Sequence, residues 1–548
     1  VPIEAPIQRS LPTPAPAPGF APRAEPPSET GRIARAAGLI SLGNIASRIL
    51  GLVRETVKAD FFGAVGAVDA FNVASIVPTM MYDLLIGGMV SSALVPVFSE
   101  YLAQDNRDEL WRLASALLGL ATVTMALFVL IIELAAPQIA YIVSSGSTPE
   151  TLALTARLLR ITAPALVFLG VSGVLSGLLY ALKRFAFPAF TAAVFNAAIV
   201  LVTLLVGRRW GIGAMAVGLL IGALGQVTLQ LPGLRDARLG LGGWRAWRHP
   251  GLGRIAGLYV PIVLGLAVDT LISRPYSYNL ASQTGEGGIS WMQYATILVQ
   301  FPQGLVATAT SLAVLPTLAG HATDERVNGD DPARFRATLA GGLRLVTVLI
   351  VPAAVGLFVL AGPIVALLFE HGEFGAHDTL VTAWALRLYL VGLPFAAVDL
   401  LLVMAFYARQ DTLTPALIGT GTIVIYMLTA TLLLPRLGLF SLMVADSLKH
   451  LLHAAISGLI LRRRLGGLNQ HGVGRAVGVA LAASAAMGGV TWGVLWLVEG
   501  LPAGAWRELA AVAGPGLAGL CVYAALIWAS GMDEARLLRE ALSRRLAH

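Results

Sequence analysis

Several charged residues stand inside stretches of this chain that are otherwise apolar enough to exclude them. Residues 37–60 form one such stretch, and within it sit Arg48, Arg54 and Lys58, with Glu55 as the internal counter-charge. On a helix Arg54 and Lys58, four apart, share a face, whereas Arg48 points elsewhere. The next apolar run opens with Asp69 and carries Asp83 further in, and a later one holds Asp269 and Arg274, followed at once by Pro275. Others contain Arg387 with Asp399, and Asp446 with Lys449, His450 and His453. A charge at the centre of a membrane helix costs about 2.5–3.5 kcal/mol on insertion scales, so such residues must face a protein-lined or hydrated cavity. Asp446 and Lys449, three apart, can neutralise each other, and the two histidines lack further ligands at metal spacing. Arg48, Arg54 and Arg274 have too few acidic neighbours in sequence for that. A guanidinium suits two-pronged contact with phosphate, so these three are expected to line a cavity for an anionic ligand.

The elements that would position these charges follow from composition. Of 548 residues 56% are hydrophobic and 13% charged, with a mean hydropathy of +0.76, whereas a soluble protein carries about 25% charged residues. Runs long enough to cross a bilayer, about 20 residues each, fall near 37–60, 68–98, 113–134, 153–181, 186–207 and 211–232. They continue near 255–281, 288–319, 337–360, 378–407, 413–434, 438–461, 474–498 and 508–530. The fold class is therefore all-α and polytopic, with about fourteen transmembrane helices, since strands of a barrel would alternate over about ten residues. Nine of the 29 prolines lie in the first thirty residues, which read as a disordered tail rather than a signal peptide. The one cysteine, Cys521, excludes an internal disulfide and reads as an inert buried thiol in an apolar run.

Basic residues orient the chain. Clusters such as Arg235, Arg238, Arg245, Arg248 and Arg254, and Arg462, Arg463 and Arg464, fall on one side together with both termini. The loops of the other side hold Arg208, Arg209, Arg436 and Arg507. Both termini are thus expected in the cytoplasm. Ser91–Pro96 (S-S-A-L-V-P) echoes Ser311–Pro316 (S-L-A-V-L-P), and Leu179 opens a segment echoed from Phe406. The echoes divide the chain into a tail (1–34), a first lobe (35–235), a second lobe (250–465), two appended spans (472–531) and a C-terminal tail (532–548). Two like-oriented six-span lobes around a central cavity are the architecture of an alternating-access carrier. No P-loop, H-E-x-x-H or G-x-S-x-G is present, so ATP hydrolysis and these catalytic classes are not expected, nor is a cofactor. Gly240, Gly242 and Gly243 sit in a basic loop without a preceding strand, and H-G-E-F-G-A-H at His371–His377 reads as a turn. The basic balance is spread over short loops, which argues against a nucleic-acid partner.

Several motifs in order resemble a known family. Ser47–Glu55 (S-R-I-L-G-L-V-R-E), Phe62–Phe71, Val95–Tyr101, Lys183–Phe190, Ser290–Ala295, Phe369–Phe374 and Tyr407–Pro415 (Y-A-R-Q-D-T-L-T-P) look like the MurJ/MviN lipid II flippases. The resemblance covers about residues 35–465. It implies a member of the multidrug/oligosaccharidyl-lipid/polysaccharide exporter superfamily in the inner membrane, moving an undecaprenyl-diphosphate-linked peptidoglycan precursor between leaflets. Its partners would be that lipid-linked glycan, membrane lipids and other membrane or cell-wall synthesis proteins. By motif position the family's substrate-binding residues carry over to Arg48, Arg54, Asp69 and Arg274, and a cation-coupling residue of some members to Asp411. The chain departs from the family pattern at Tyr82, Asp83 and Gly87, and again at Thr296, Ile297 and Gln300, where charges have been lost or exchanged. Either another head group, another polyprenyl-linked oligosaccharide, or a scaffold role that kept the fold would accommodate these departures.

Overall fold

The computed structural model describes residues 29–240, 248–328, 332–467, 472–500 and 505–532. Most of the proline-rich tail, the loop around Gly242 and Gly243, and the C-terminal tail from 533 onward lie outside them. Helix α1 spans Glu29–Phe62. It is followed by α2 (Gly66–Ala103), α3 (Arg107–Ser144), α4 (Pro149–Thr162 with Ala165–Ala181), α5 (Thr191–Trp210) and α6 (Gly213–Leu234). The second set comprises α7 (Pro250–Val263 with Gly265–Ser282), α8 (Gly288–Val327), α9 (Ala333–Val359), α10 (Ala376–Ala408), α11 (Leu413–Leu437) and α12 (Phe440–Leu465), then α13 (Val473–Val498) and α14 (Trp506–Ala529). Eleven of these are long and apolar enough to cross a membrane, and counting each bent pair, α4 and α7, as one span gives thirteen. Among the described residues no strand occurs.

Helix α1, 34 residues long, is not counted among these, and the expected fourteenth span rests on its length and on the apolar stretch between residues 36 and 53, where Arg48 is the one charge. The bends have local causes. Helix α4 turns by 41° at Ala163–Pro164, and α7 by 42° just after Pro261, as expected where proline removes a backbone donor and crowds the preceding turn. Single π-helical turns interrupt α2 at Asp83–Gly87 and Val90–Leu94, α7 at Asp269–Ser273 and α8 at Gln303–Thr308. Such a turn carries an extra residue and re-aims the side chains around it, often at functional positions.

The two halves pair their helices alike. In the first lobe α3 packs on α4, α2 on α4, and α5 on α6; in the second, α9 packs on α10, α8 on α10, and α11 on α12. Helices α13 and α14 pack on each other and lie on α9, where Tyr523 Oη donates to the Val348 carbonyl at 2.6 Å. Large apolar side chains such as Leu134, Leu205, Leu432 and Trp506 remain exposed, forming the surface that lipid would cover. Cys521 belongs to that surface: it is exposed, which corrects the expectation of a buried thiol. An apolar run in a membrane protein faces lipid as readily as protein, and hydropathy alone does not separate the two. The turn expected at His371–His377 is present: Phe374 packs inside, and Glu373 N donates to the Asp60 carbonyl at 3.0 Å.

Candidate functional site

Where the lobes meet, a cavity of about 450 Å³ opens between α1, α2, α7, α8, α10, α11 and α12. Its wall mixes polar and aromatic groups: Arg54 and Glu55 from α1, Asp269 and Arg274 from α7, Gln293, Thr296 and Gln300 from α8, and Asp446 and Lys449 from α12. Tyr278, Tyr389 and Tyr426 complete it.

Arg54 and Arg274 therefore reach one cavity from opposite halves of the chain. Neither is bare. Arg54 donates from Nε and Nη2 to Glu55 Oε1 at 3.0 and 2.7 Å, and from Nη1 to Asn196 Oδ1 on α5 at 3.0 Å. Arg274 Nε lies 3.1 Å from Asp269 Oδ2, and its Nη1 lies 3.6 Å from Asp83 Oδ2 across the lobe boundary. Both carboxylates occupy the first position of a π-helical turn, so the local widening of α2 and α7 presents them to the arginine. On α12, Lys449 Nζ donates to Asp446 Oδ1 at 2.6 Å, the neutral pair expected from their spacing, yet both also line the wall. The lining thus holds three cations, Arg54, Arg274 and Lys449, and three carboxylates, Glu55, Asp269 and Asp446, and each cation has a carboxylate partner.

Arg48 stands at the rim. Its Nη1 donates to the Gln300 carbonyl at 3.3 Å. Its guanidinium fills the space left by Gly304, where an added Cβ would fall 2.0 Å from Nη2.

Asp69 does not line the cavity. It is 3% exposed and caps the start of α8 from α2: Oδ2 accepts from Gly287 N at 2.8 Å, and Oδ1 accepts from Ser290 N at 2.8 Å and Ser290 Oγ at 2.5 Å. A carboxylate at the positive end of a helix needs no cationic partner to be satisfied. Next to it Lys58, 2% exposed, pairs with Glu55, donates to Asn72 Oδ1 at 2.9 Å and lies 4.9 Å from the centre of the Tyr294 ring. Tyr294 Oη donates to the Gly63 carbonyl at 3.0 Å. Asn279 Nδ2 to Ser145 Oγ, at 2.8 Å, and Gly146 N to Ser282 Oγ, at 3.0 Å, add two more cross-lobe bonds. Together these seal one end of the cavity, so Asp69 and Lys58 act as a seal rather than as ligand contacts.

Asp411 lies at the start of α11, far along the chain from these groups. Oδ1 accepts from Thr414 N at 2.9 Å, and Oδ2 accepts from Thr414 Oγ1 at 2.6 Å and Arg464 Nη1 at 2.5 Å. Despite some burial, the Thr414 donors and the Arg464 guanidinium hold its carboxyl down at about 2. Its oxygens are committed to a helix cap and an ion pair, which leaves a cation no free ligand there unless Arg464 moves. Among the described residues no group of three or more His, Cys, Asp or Glu is placed to hold a metal ion.

Sequence reasoning missed Asn196 as the brace of Arg54 and Asp83 as the cross-lobe partner of Arg274. Asp83 carried a signal, because it replaces the residue expected there from the family resemblance.

Comparison with known proteins agrees with this architecture. The lipid II flippase MurJ family profile matches residues 58–504. The lipid II flippase MurJ of Burkholderia cenocepacia is 30% identical over 521 residues, covering 92% of this chain and 99% of the relative. A solved lipid II flippase MurJ in an inward closed conformation superposes with a TM-score of 0.73 at 23% identity, covering 89% of this chain and 97% of that one. An inward-facing multidrug resistance MATE family transporter of the MOP superfamily gives a TM-score of 0.65 at 15% identity over 77% of this chain, which marks a shared fold. With a family profile across most of its length and a full-length relative at this identity, the chain belongs to the lipid II flippase MurJ family.

Proposed function

We propose that the protein flips lipid II, the undecaprenyl-diphosphate-linked peptidoglycan precursor, across the cytoplasmic membrane by alternating access, with both termini in the cytoplasm. The observation that carries the reading is that Arg54 of the first lobe and Arg274 of the second line one cavity. Arg48 at the rim would meet the head group on entry.

The paired carboxylates fit this cycle. With no ligand, Glu55, Asp269 and Asp446 hold the cavity cations in place, so the empty carrier does not leave uncompensated charge inside the membrane. A diphosphate can take over these cations, because its oxygens offer the same geometry as the carboxylates they replace. Binding then is an exchange of partners, strong enough to select an anion and weak enough to release it. The membrane potential can reset the carrier, since each charge moved is worth about 2.3 kcal/mol per 100 mV. An apolar crevice of about 630 Å³ between α9, α10, α12 and α13 offers the polyprenyl chain a wall of matching chemistry.

A second reading, another polyprenyl-linked oligosaccharide, is favoured by one observation. Thr296, Ile297 and Gln300 all line the cavity, so the loss of charge there alters the surface a sugar–peptide head group would touch. The scaffold reading is disfavoured by a cavity that stays open and charged. Complementation of a flippase-depleted bacterium tests the proposal: the wild-type gene should restore growth, and Arg48→Ala with Arg54→Ala should not. Full rescue by that variant would remove these arginines from the mechanism, and failure of the wild-type gene would favour the other substrate.

A further inference from the structure

One face of α12 carries a stripe of polar groups, of which the exchange of partners described above uses only Asp446 and Lys449. Asp446, Lys449, His450, His453 and Ser457 follow at helical spacing, so they stack along one side over about 15 Å. At the cavity end Asp446 holds Lys449, and His450 Nε2 lies 3.7 Å from its other oxygen, Oδ2. One turn further on, His453 Nδ1 lies 2.5 Å from Asp399 Oδ1 of α10, with Ser457 Oγ 3.3 Å away. The side chains of His453 and Asp399 are 12% and 14% exposed.

The neighbours leave these histidines few other charged groups. Helix α10 brings Asp399 and Tyr389 and α11 brings Tyr426, over whose ring Lys449 lies at 5.4 Å. At Gly419 of α11 an added Cβ would lie 3.6 Å from His453 Nε2, so the residue of α11 that meets that nitrogen brings no side chain to it. Helix α7 contributes Asp269 and Arg274, which face each other in the cavity, and α8 contributes Gln293, Thr296 and Gln300, none of which is charged. The opposite face of α12, Leu451, Ala454 and Ala455, is apolar towards α13.

We propose that this stripe is a proton-binding site, and that loading the cavity with an anionic head group takes up a proton there. It rests on the proposed function, since it needs a diphosphate in the cavity. With neutral imidazoles, Asp399 leaves a net negative charge inside the lobe and Asp446 is shared between Lys449 and a dipole. A proton from a hydronium ion or buffer acid, bound at His450, gives Asp446 an imidazolium partner and lets Lys449 turn to the incoming phosphate. A proton on His453 Nε2 likewise turns the pair with Asp399 into a neutral imidazolium–carboxylate pair. Either step forms one imidazole N–H as a hydronium ion or a buffer acid gives up its proton, and the conjugate base stays in bulk solvent. The proton taken up offsets one of the negative charges the head group brings into the cavity.

Titration calorimetry tests this, with undecaprenyl diphosphate added to the purified full-length protein in detergent, in buffers of different ionisation enthalpy at one pH near neutrality. Wild-type binding enthalpy should change with buffer by the equivalent of roughly one proton taken up per ligand. His450→Gln with His453→Gln should bind with a slope at least half lost. Any protonation of the diphosphate itself contributes to both proteins, so the difference belongs to the histidines. Equal slopes in wild type and double variant would overturn the inference while leaving the carrier reading intact. Absence of any wild-type binding heat would overturn the carrier reading itself and this inference with it. Should the double variant not fold, as judged by its melting curve, His453→Gln alone serves, because it lies behind the wall; a slope unchanged from wild type then overturns the proposal.

Discussion

Replacing Asp69 by Asn should unlock the sealed end of the cavity. The carboxylate is nearly fully buried and accepts three hydrogen bonds of 2.5–2.8 Å from Gly287 and Ser290. Each bond to a charged acceptor contributes about 1.5–3 kcal/mol net. Asn keeps one oxygen, and the Ser290 hydroxyl can turn to accept from its amide, so one bond and the charge of the others are lost. The net loss is about 3 kcal/mol, and at 1.4 kcal/mol per tenfold it shifts the ratio of sealed to open protein roughly a hundredfold. The loss falls on the sealed state because these bonds join α2 of one lobe to α8 of the other. The assay is maleimide labelling of Ala64→Cys in a Cys521→Ser background. Ala64 is 6% exposed, and its carbonyl oxygen lies 2.4 Å from where a Cβ on Gly287 would sit. Labelling should quicken by one to two orders of magnitude in Asp69→Asn. An unchanged rate in a folded variant would refute the idea that this carboxylate holds the seal.

Other substitutions separate packing from charge. Lys58→Met strands Glu55 with Arg54 alone, a loss of about 3–5 kcal/mol for a broken buried pair; the melting temperature should fall, and adding Glu55→Gln should recover part of it. Gly43→Ala would place a Cβ 2.1 Å from the Ala189 carbonyl oxygen, a backbone atom that cannot yield cheaply, so thermal unfolding in detergent should show clear destabilisation. The cap at Asp411 has a pH signature. Its carboxyl lies at about 2, below the ordinary 3.8, so its contribution is complete above about pH 4 and disappears as pH falls through about 2. Hydrogen exchange in the first turn of α11 should therefore differ between wild type and Asp411→Asn by a constant amount at neutral pH, and converge in strong acid.

Much of the architecture is legible in the sequence because the bilayer admits few solutions. A long apolar run must be helical, and the echo of Ser91–Pro96 at Ser311–Pro316 falls in two sets of helices that pair alike. Arg54 and Arg274 were legible for the same reason, since a guanidinium in such a run has to face something polar. What did not follow were the partners. Glu55 was visible beside Arg54, but Asn196 lies on α5, and Asp83 meets Arg274 from the start of a π-helical turn in α2. Asp69 resembles a ligand contact in sequence, whereas its neighbours in space are the amides that open α8. Cys521 shows the same limit in reverse, because an apolar run does not say whether lipid or protein covers it. Hydropathy reports what a residue avoids and leaves open what it meets.

The central claim is that arginines of both lobes carry one anionic head group across the membrane. The most direct measurement is the leaflet accessibility of fluorescent lipid II in proteoliposomes, with an imposed potential, for wild type and for Arg54→Ala with Arg274→Ala. Wild type should move lipid II from one leaflet to the other, and the double variant should slow this at least tenfold while remaining folded. Equal rates in the two proteins, or no movement by wild type above protein-free vesicles, would contradict the account.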